Sequence, residues 1–183
     1  MVFTHDTEVA LAGAAAWVNT GGEVERLPDV AALDDFVTEW GWTGSRTRDE
    51  AELQMVQALR SRLRPLWELD REGVVGLVND LLAEFRALPQ LVRHDRFDYH
   101  LHATPSDAPL GARMAVEAAM AMVDVIRADE LGRLRRCAND DCDDVLVDLS
   151  RNRSKRYCDL TCSNRAAVRA YRSRGAERPA PTD

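Results

Sequence analysis

Four cysteines, Cys137, Cys142, Cys158 and Cys162, fall within one stretch of 26 residues, and the other 157 positions hold none. Their pattern, C-x4-C-x15-C-x3-C, is the sequence form of a four-thiolate zinc site. Zinc takes four ligands tetrahedrally: one close pair on a tight turn supplies two, and a second pair closes the shell. The competing readings are two disulfides or four unrelated buried thiols. A closed shell of four thiolates leaves no position for a reactive water, so one structural zinc per chain is expected rather than a catalytic one.

The segment between the pairs must bring them together. Val145, Leu146 and Val147 read as a short strand, and Ser150, Arg151 and Asn152 as a turn. Lys155, Arg156 and Tyr157 read as the returning strand that delivers Cys158. Asp159 can cap a helix over 160–174, with Cys162 in its first turn, where the helix N-terminus favours a thiolate. Knuckle, hairpin and a helix carrying the last ligand make a treble-clef arrangement.

Charge is distributed unevenly around this segment. The formal net charge of −7 argues against a uniformly basic nucleic-acid coat. Residues 1–132, however, carry 12 basic and 23 acidic side chains, and 133–178 carry 12 and 7. Arg151, Arg153, Lys155 and Arg156 crowd the hairpin, and Arg165, Arg169, Arg172 and Arg174 follow on the helix. Arg165, Arg169 and Arg172, at i, i+4 and i+7, form one stripe. Leu160, Asn164, Val168 and Tyr171 line another side, expected to pack on the hairpin. The basic stripe suits phosphate contact, pairing with the acidic body or another protein, or plain solvation.

At this point the residues carry a resemblance. Asp148-Leu149-Ser150-Arg151-Asn152, then Ser154-Lys155-Arg156-Tyr157-Cys158 and Cys162-Ser163-Asn164-Arg165, resemble the CGNR zinc-finger family, bacterial proteins whose N-terminal region is the ABATE domain. Val18-Asn19-Thr20, Leu59-Arg60 and the helix leading into Cys137 extend the resemblance more weakly. It implies a stress-induced transcriptional regulator that binds DNA, with Asn164 and Arg165 mattering to function or else bracing the hairpin, Arg165 by pairing with Asp148. The family's Cys-Gly-Asn-Arg reads Cys162-Ser163-Asn164-Arg165 here, which is tolerable if position 163 is helical. Tyr157 stands where tryptophan is usual. Ala14, Ala15 and Ala16 replace the family's acidic residue before the Asn-Thr pair.

The remaining two-thirds must support that end. At 183 residues, 45% hydrophobic and 30% charged, the chain has the composition of a soluble globular protein. The apolar run 9–18 is too short to span a bilayer, and Asp6 and Glu8 stand where an export signal would carry positive charge, so a cytoplasmic protein is expected. Helices are expected over 8–20, from Pro28-Asp29 to Trp40, from a capping box at Thr47 and Glu50 to a break at Pro65, over 74–88 and over 110–128. Residues 97–103 alternate as a half-buried strand, placing His100 and His102 on one face with His94 on a neighbour. That face could hold a metal or anion, though a polar hairpin face is the plainer reading. Met114, Met120 and Met122 read as core fillers. There is no phosphate-binding glycine loop, metalloprotease motif or nucleophile elbow.

The expected architecture is therefore mainly α (α+β). A helical domain with a small β-hairpin (1–132) leads to a treble-clef-like four-cysteine zinc module (133–175) and a flexible tail (176–183). The expected function is a DNA-binding regulator whose acidic body senses a small molecule or protein, or forms a homodimer. The alternative is a zinc-stabilised protein-interaction module; an enzyme is not expected.

Overall fold

The computed structural model describes residues 3–93 and 99–176. It is mainly helical with two small antiparallel hairpins, as the sequence implies. Helix α5 (Leu110–Arg127) is the axis of the body. Its alanines and methionines are buried on most sides, so α1 (His5–Asn19), α3 (Glu50–Leu63) and α4 (Arg71–Glu84) can all pack against it. Met114 and Met122 fill that core, while Met120 is half-buried beside a cavity. Trp17 of α1 is fully buried and donates its indole N–H to the Val56 carbonyl at 3.2 Å, which ties α1 to α3.

Helix ends follow local chemistry. Asp29 caps α2 (Val30–Trp40) by accepting from the Ala32 N–H at 2.8 Å, and Gly41 ends it at φ +69°, in the left-handed region where glycine is unstrained. Helix α3 departs from expectation: its cap is Asp49, not Thr47. Glu52 accepts from the N–H groups of Thr47 (3.2 Å) and Arg48 (3.3 Å), so the chain enters the helix two residues later than a Thr47 cap would require. Pro65 ends α3 in a short 3-10 turn, Arg64–Trp67, and α4 begins under an Asp70 cap.

Strands β1 (Gln90–Val92) and β2 (His100–His102) form the first hairpin, Leu91 opposite Leu101. The expected histidine face is only partly visible: His100 and His102 stand two apart on β2, and His94, Phe97 and Asp98 lie outside the described residues, as does the tail beyond 176. Strand β3 (Leu134–Arg136) pairs with β4 (Val145–Val147), and α6 (Leu160–Ala176) closes the described chain. Among the described residues no helix is long and apolar enough to cross a membrane.

The second hairpin corrects the sequence reading. Strand β4 pairs with β3, and residues 155–157 are not a strand. The cause is Asp148, which takes the Lys155 N–H at 3.0 Å and the Ser150 N–H at 3.0 Å on its side chain. Those donors are then lost to any ladder, and the returning segment lies beside the cysteine knuckle, where the Arg156 carbonyl accepts from Ala138 at 2.8 Å.

Candidate metal centre and its basic rim

The four cysteines converge. Strand β3 runs into Cys137, whose N–H donates to the Asp144 carbonyl at 2.8 Å, and Cys142 N–H donates to the Asn139 carbonyl at 3.1 Å. These bonds make a tight knuckle carrying the first pair. Asp159 accepts from the Cys162 N–H at 2.6 Å, capping α6 and fixing Cys162 in its first turn. Ser163 is helical, so its replacement of glycine is unstrained. The buried Asn139 joins the halves by donating to the Cys162 carbonyl at 2.8 Å.

All four Sγ atoms lie within 4.8 Å of one another, with Cys142 and Cys158 3.7 Å apart. A tetrahedral site with metal–sulfur bonds of about 2.3 Å has sulfur–sulfur edges of about 3.8 Å, so the cluster can close on one ion. Its chemistry fits the same conclusion. Burial pushes the Cys142 thiol up to about 11 and the Cys158 thiol higher still. At Cys162 burial is outweighed by the Asn139 amide and the Arg165 guanidinium, which hold that thiol below its usual range. A soft divalent cation is what would let all four lose their protons together.

The finger is joined to the body through β4. Val145 and Val147 pack into the body's core, while Leu146 between them packs with Cys137 and Cys162. Asn19, at the end of α1, makes a two-way bond with Val145, donating to its carbonyl at 2.8 Å and accepting its N–H at 2.7 Å. Trp67 donates its indole N–H to the Leu146 carbonyl at 3.0 Å. Arg60 holds the same corner, pairing with Glu25 at 2.6 Å and bonding Thr20 at 3.1 Å. The Val18-Asn19-Thr20 and Leu59-Arg60 segments thus meet at the seat of the finger.

The predicted basic residues separate into two groups. Arg169, though exposed, is turned toward the cysteine knuckle, meeting Asp141 at 3.1 Å and the Asn139 side chain. Arg165 donates to the Cys162 sulfur at 3.0 Å. It does not pair with Asp148, whose buried carboxylate is bridged instead by Arg135 at 3.2 Å. Arg153 pairs with Glu130 at 2.9 Å, and its backbone is left-handed, φ +51°. Arg151, Lys155, Arg156 and Arg172 are exposed and have no carboxylate partner among the described residues, although Arg156 lies 5.8 Å over the Tyr157 ring. Asn164 is exposed on α6, and Arg174 lies on its last turns.

Two things were missed from the sequence. The face of α6 expected to pack on the hairpin does not: Leu160 is 82% and Tyr171 74% exposed, with Val168 also open. Arg133 and Arg135, on either side of Leu134 at the start of β3, organise the 148–155 loop. Arg133 donates to the Asp148 and Ser150 carbonyls at 2.7 and 3.0 Å, and Arg135 to those of Arg153 and Lys155. The alternation around Leu134 was the signal available.

A four-cysteine finger seated on a helical body defines a zinc-finger protein. Residues 133–175 match the CGNR zinc finger. Residues 9–129 match the ABATE family, described as "Putative stress-induced transcription regulator", and the chain belongs to that family. A comparison with curated proteins finds no match.

Proposed function

We propose that this protein is a cytoplasmic, bacterial DNA-binding transcriptional regulator. It divides into an ABATE body (1–132), a zinc finger (133–175) and a tail (176–183). Cys137, Cys142, Cys158 and Cys162 hold one structural zinc, which contributes folding energy and no reactive position. The observation that carries the reading is the set of cations around the finger with no carboxylate partner among the described residues: Arg151, Lys155 and Arg156 on the loop and Arg172 on α6. These reach phosphates. Arg153, Arg165 and Arg169 brace the surface that presents them, while Asn164 and Arg174 stand beside it on α6. Counterion release makes such binding steeply salt-dependent.

The test is a salt titration of duplex-DNA binding by the zinc-loaded chain. The Arg151→Ala/Arg156→Ala/Arg172→Ala variant is expected to bind more weakly and with a shallower salt slope. Unchanged affinity and slope would overturn the reading. One observation favours a second reading, a zinc-stabilised protein-interaction module: the open stripe of Leu160, Val168 and Tyr171 on α6. Loss of partner capture or of self-association in Tyr171→Ser, with DNA affinity unchanged, would select it.

A further inference from the structure

We infer that the body carries a binding site for a small apolar carboxylate, built around Arg113. The site lies apart from the finger and stands independently of the DNA reading. A cavity of about 760 Å³ opens between α5, the segment after α2, the end of α4 and the first hairpin. That is the size of a pocket for a small organic molecule. Trp42, Phe85, Leu88, Leu101, Val116 and Met120 give it apolar walls.

Arg113 of α5 lines this cavity and is 8% exposed. Its Nη1 donates to the Ser45 carbonyl at 2.9 Å and to the Ala108 carbonyl, which locks the guanidinium in place. Its Nη2 is buried with no acceptor. The other buried polar atoms without a hydrogen bond, Asp34 Oδ1 and Arg46 Nη2, lie 2.8 Å apart and answer each other as an ion pair. The Arg113 nitrogen is therefore the one left over among the described residues.

A buried cation without a counter-ion is costly, and a donor left unsatisfied on it adds to that cost. The nearby carboxylates are already engaged. Glu52 accepts from Arg46 and from two backbone N–H groups, and Glu117 accepts from the Trp42 indole at 2.6 Å. Among the described residues no carboxylate bridges Arg113, and Arg86, on the cavity's rim, has no ion-pair partner either.

The backbone is shaped to hold the guanidinium. Gly44 sits at φ +99°, where a side chain is strained, and a Cβ there would lie 2.6 Å from the Ser106 carbonyl oxygen and 3.0 Å from the Arg113 Cζ and Nε. Glycine lets the 44–45 and 106–108 segments close over the arginine, joined by the Ser45 N–H to Ser106 bond at 2.9 Å. A carboxylate that enters beside Arg113 and displaces the groups now covering Nη2 supplies the acceptor it lacks, and its apolar part fills the space toward Val116 and Met120.

The experiment is calorimetric titration of the full, zinc-loaded chain with 1-naphthoate and with its neutral isostere 1-naphthamide, in the absence of DNA. Naphthoate is expected to bind at least about tenfold more tightly than the amide. Arg113→Gln should lose about tenfold for naphthoate and little for the amide. Because Arg113 also ties two loops, two further variants guard against misfolding. Met120→Trp fills the cavity and should abolish binding of both probes, while Arg86→Gln, on the exposed rim, should weaken naphthoate a few-fold. Absence of naphthoate binding, equal affinity for the two probes, or naphthoate affinity unmoved by both Arg113→Gln and Met120→Trp overturns the site. None of these results bears on DNA binding, so the two readings fail separately.

Discussion

Arginines in the body and arginines on the finger's rim live under different rules. In the body, Arg46, Arg60, Arg62, Arg64 and Arg71 each meet a carboxylate. On the rim, Arg151, Lys155, Arg156 and Arg172 meet none among the described residues. The acidic excess of residues 1–132 supplies partners mainly to its own cations, and across to the rim it reaches Arg153 through Glu130 but not these four. The place where positive charge is available is thus set by the absence of neighbours, not by the total. Within the body, Arg113 is the buried cation without a counter-ion among the described residues, and exposed Arg86 likewise has none.

The comparison breaks most completely if the finger is dissolved. Chelation, or Cys158→Ser, should collapse residues 148–176 while α1 to α5 stay helical, because structural zinc contributes on the order of 10 kcal/mol and the body has its own core. Circular dichroism with metal analysis reads this; purified protein free of zinc yet with a folded finger would refute it.

A smaller effect is expected at the seam. Asn19→Ala leaves the Val145 N–H and C=O without partners and should cost about 2–3 kcal/mol in a urea melt. Asp148→Asn should cost about the same at pH 7, and its cost is pH-dependent. Burial raises the Asp148 carboxyl, but Ser150, the Lys155 N–H and Arg135 outweigh it and hold it below the usual carboxylate range. A depressed folded-state pKa adds stability that is fully present well above the unfolded value of about 4 and is lost as pH falls through the folded one. The difference between wild type and Asp148→Asn should therefore shrink below about pH 4, and a constant difference would show that the charge is not what matters.

Smaller still is the paired control. Arg62 and Glu84 form an exposed ion pair, and Arg62→Ala should change stability by no more than about 0.5 kcal/mol and leave DNA binding alone. If it weakened DNA binding as much as Arg172→Ala did, the distinction between partnered and unpartnered cations would be void.

Much of this was legible in the sequence. The cysteine spacing, the Asp159 cap and the helix that follows it need only local chemistry, and the stripe on α5 needs only periodicity. The hairpin partner of β4 was not legible, because it is decided by where the Asp148 side chain sends its hydrogen bonds, and a carboxylate's partners are not written in its neighbours. The engagement of Arg165 and Arg169 with the knuckle was hidden for the same reason: helical spacing aligns them with Arg172 but cannot say that a sulfur and two aspartates lie beside two of the three. The Arg113 cavity depends on segments remote in sequence, 42–45, 85–92, 101–106 and 113–120, and carried no motif.

Strand β4 is only three residues long, yet its alternating side chains serve two masters, Val145 and Val147 the helical core and Leu146 the cysteine cluster. Neither half could be exchanged freely with that of another protein. A transplanted finger would arrive without the asparagine and tryptophan that receive its strand, and a body stripped of its finger would present an open apolar slot where Val145 and Val147 had sat. Such a slot is a template for aggregation, so proteolytic loss of the finger would leave a sticky remnant rather than a tidy independent domain.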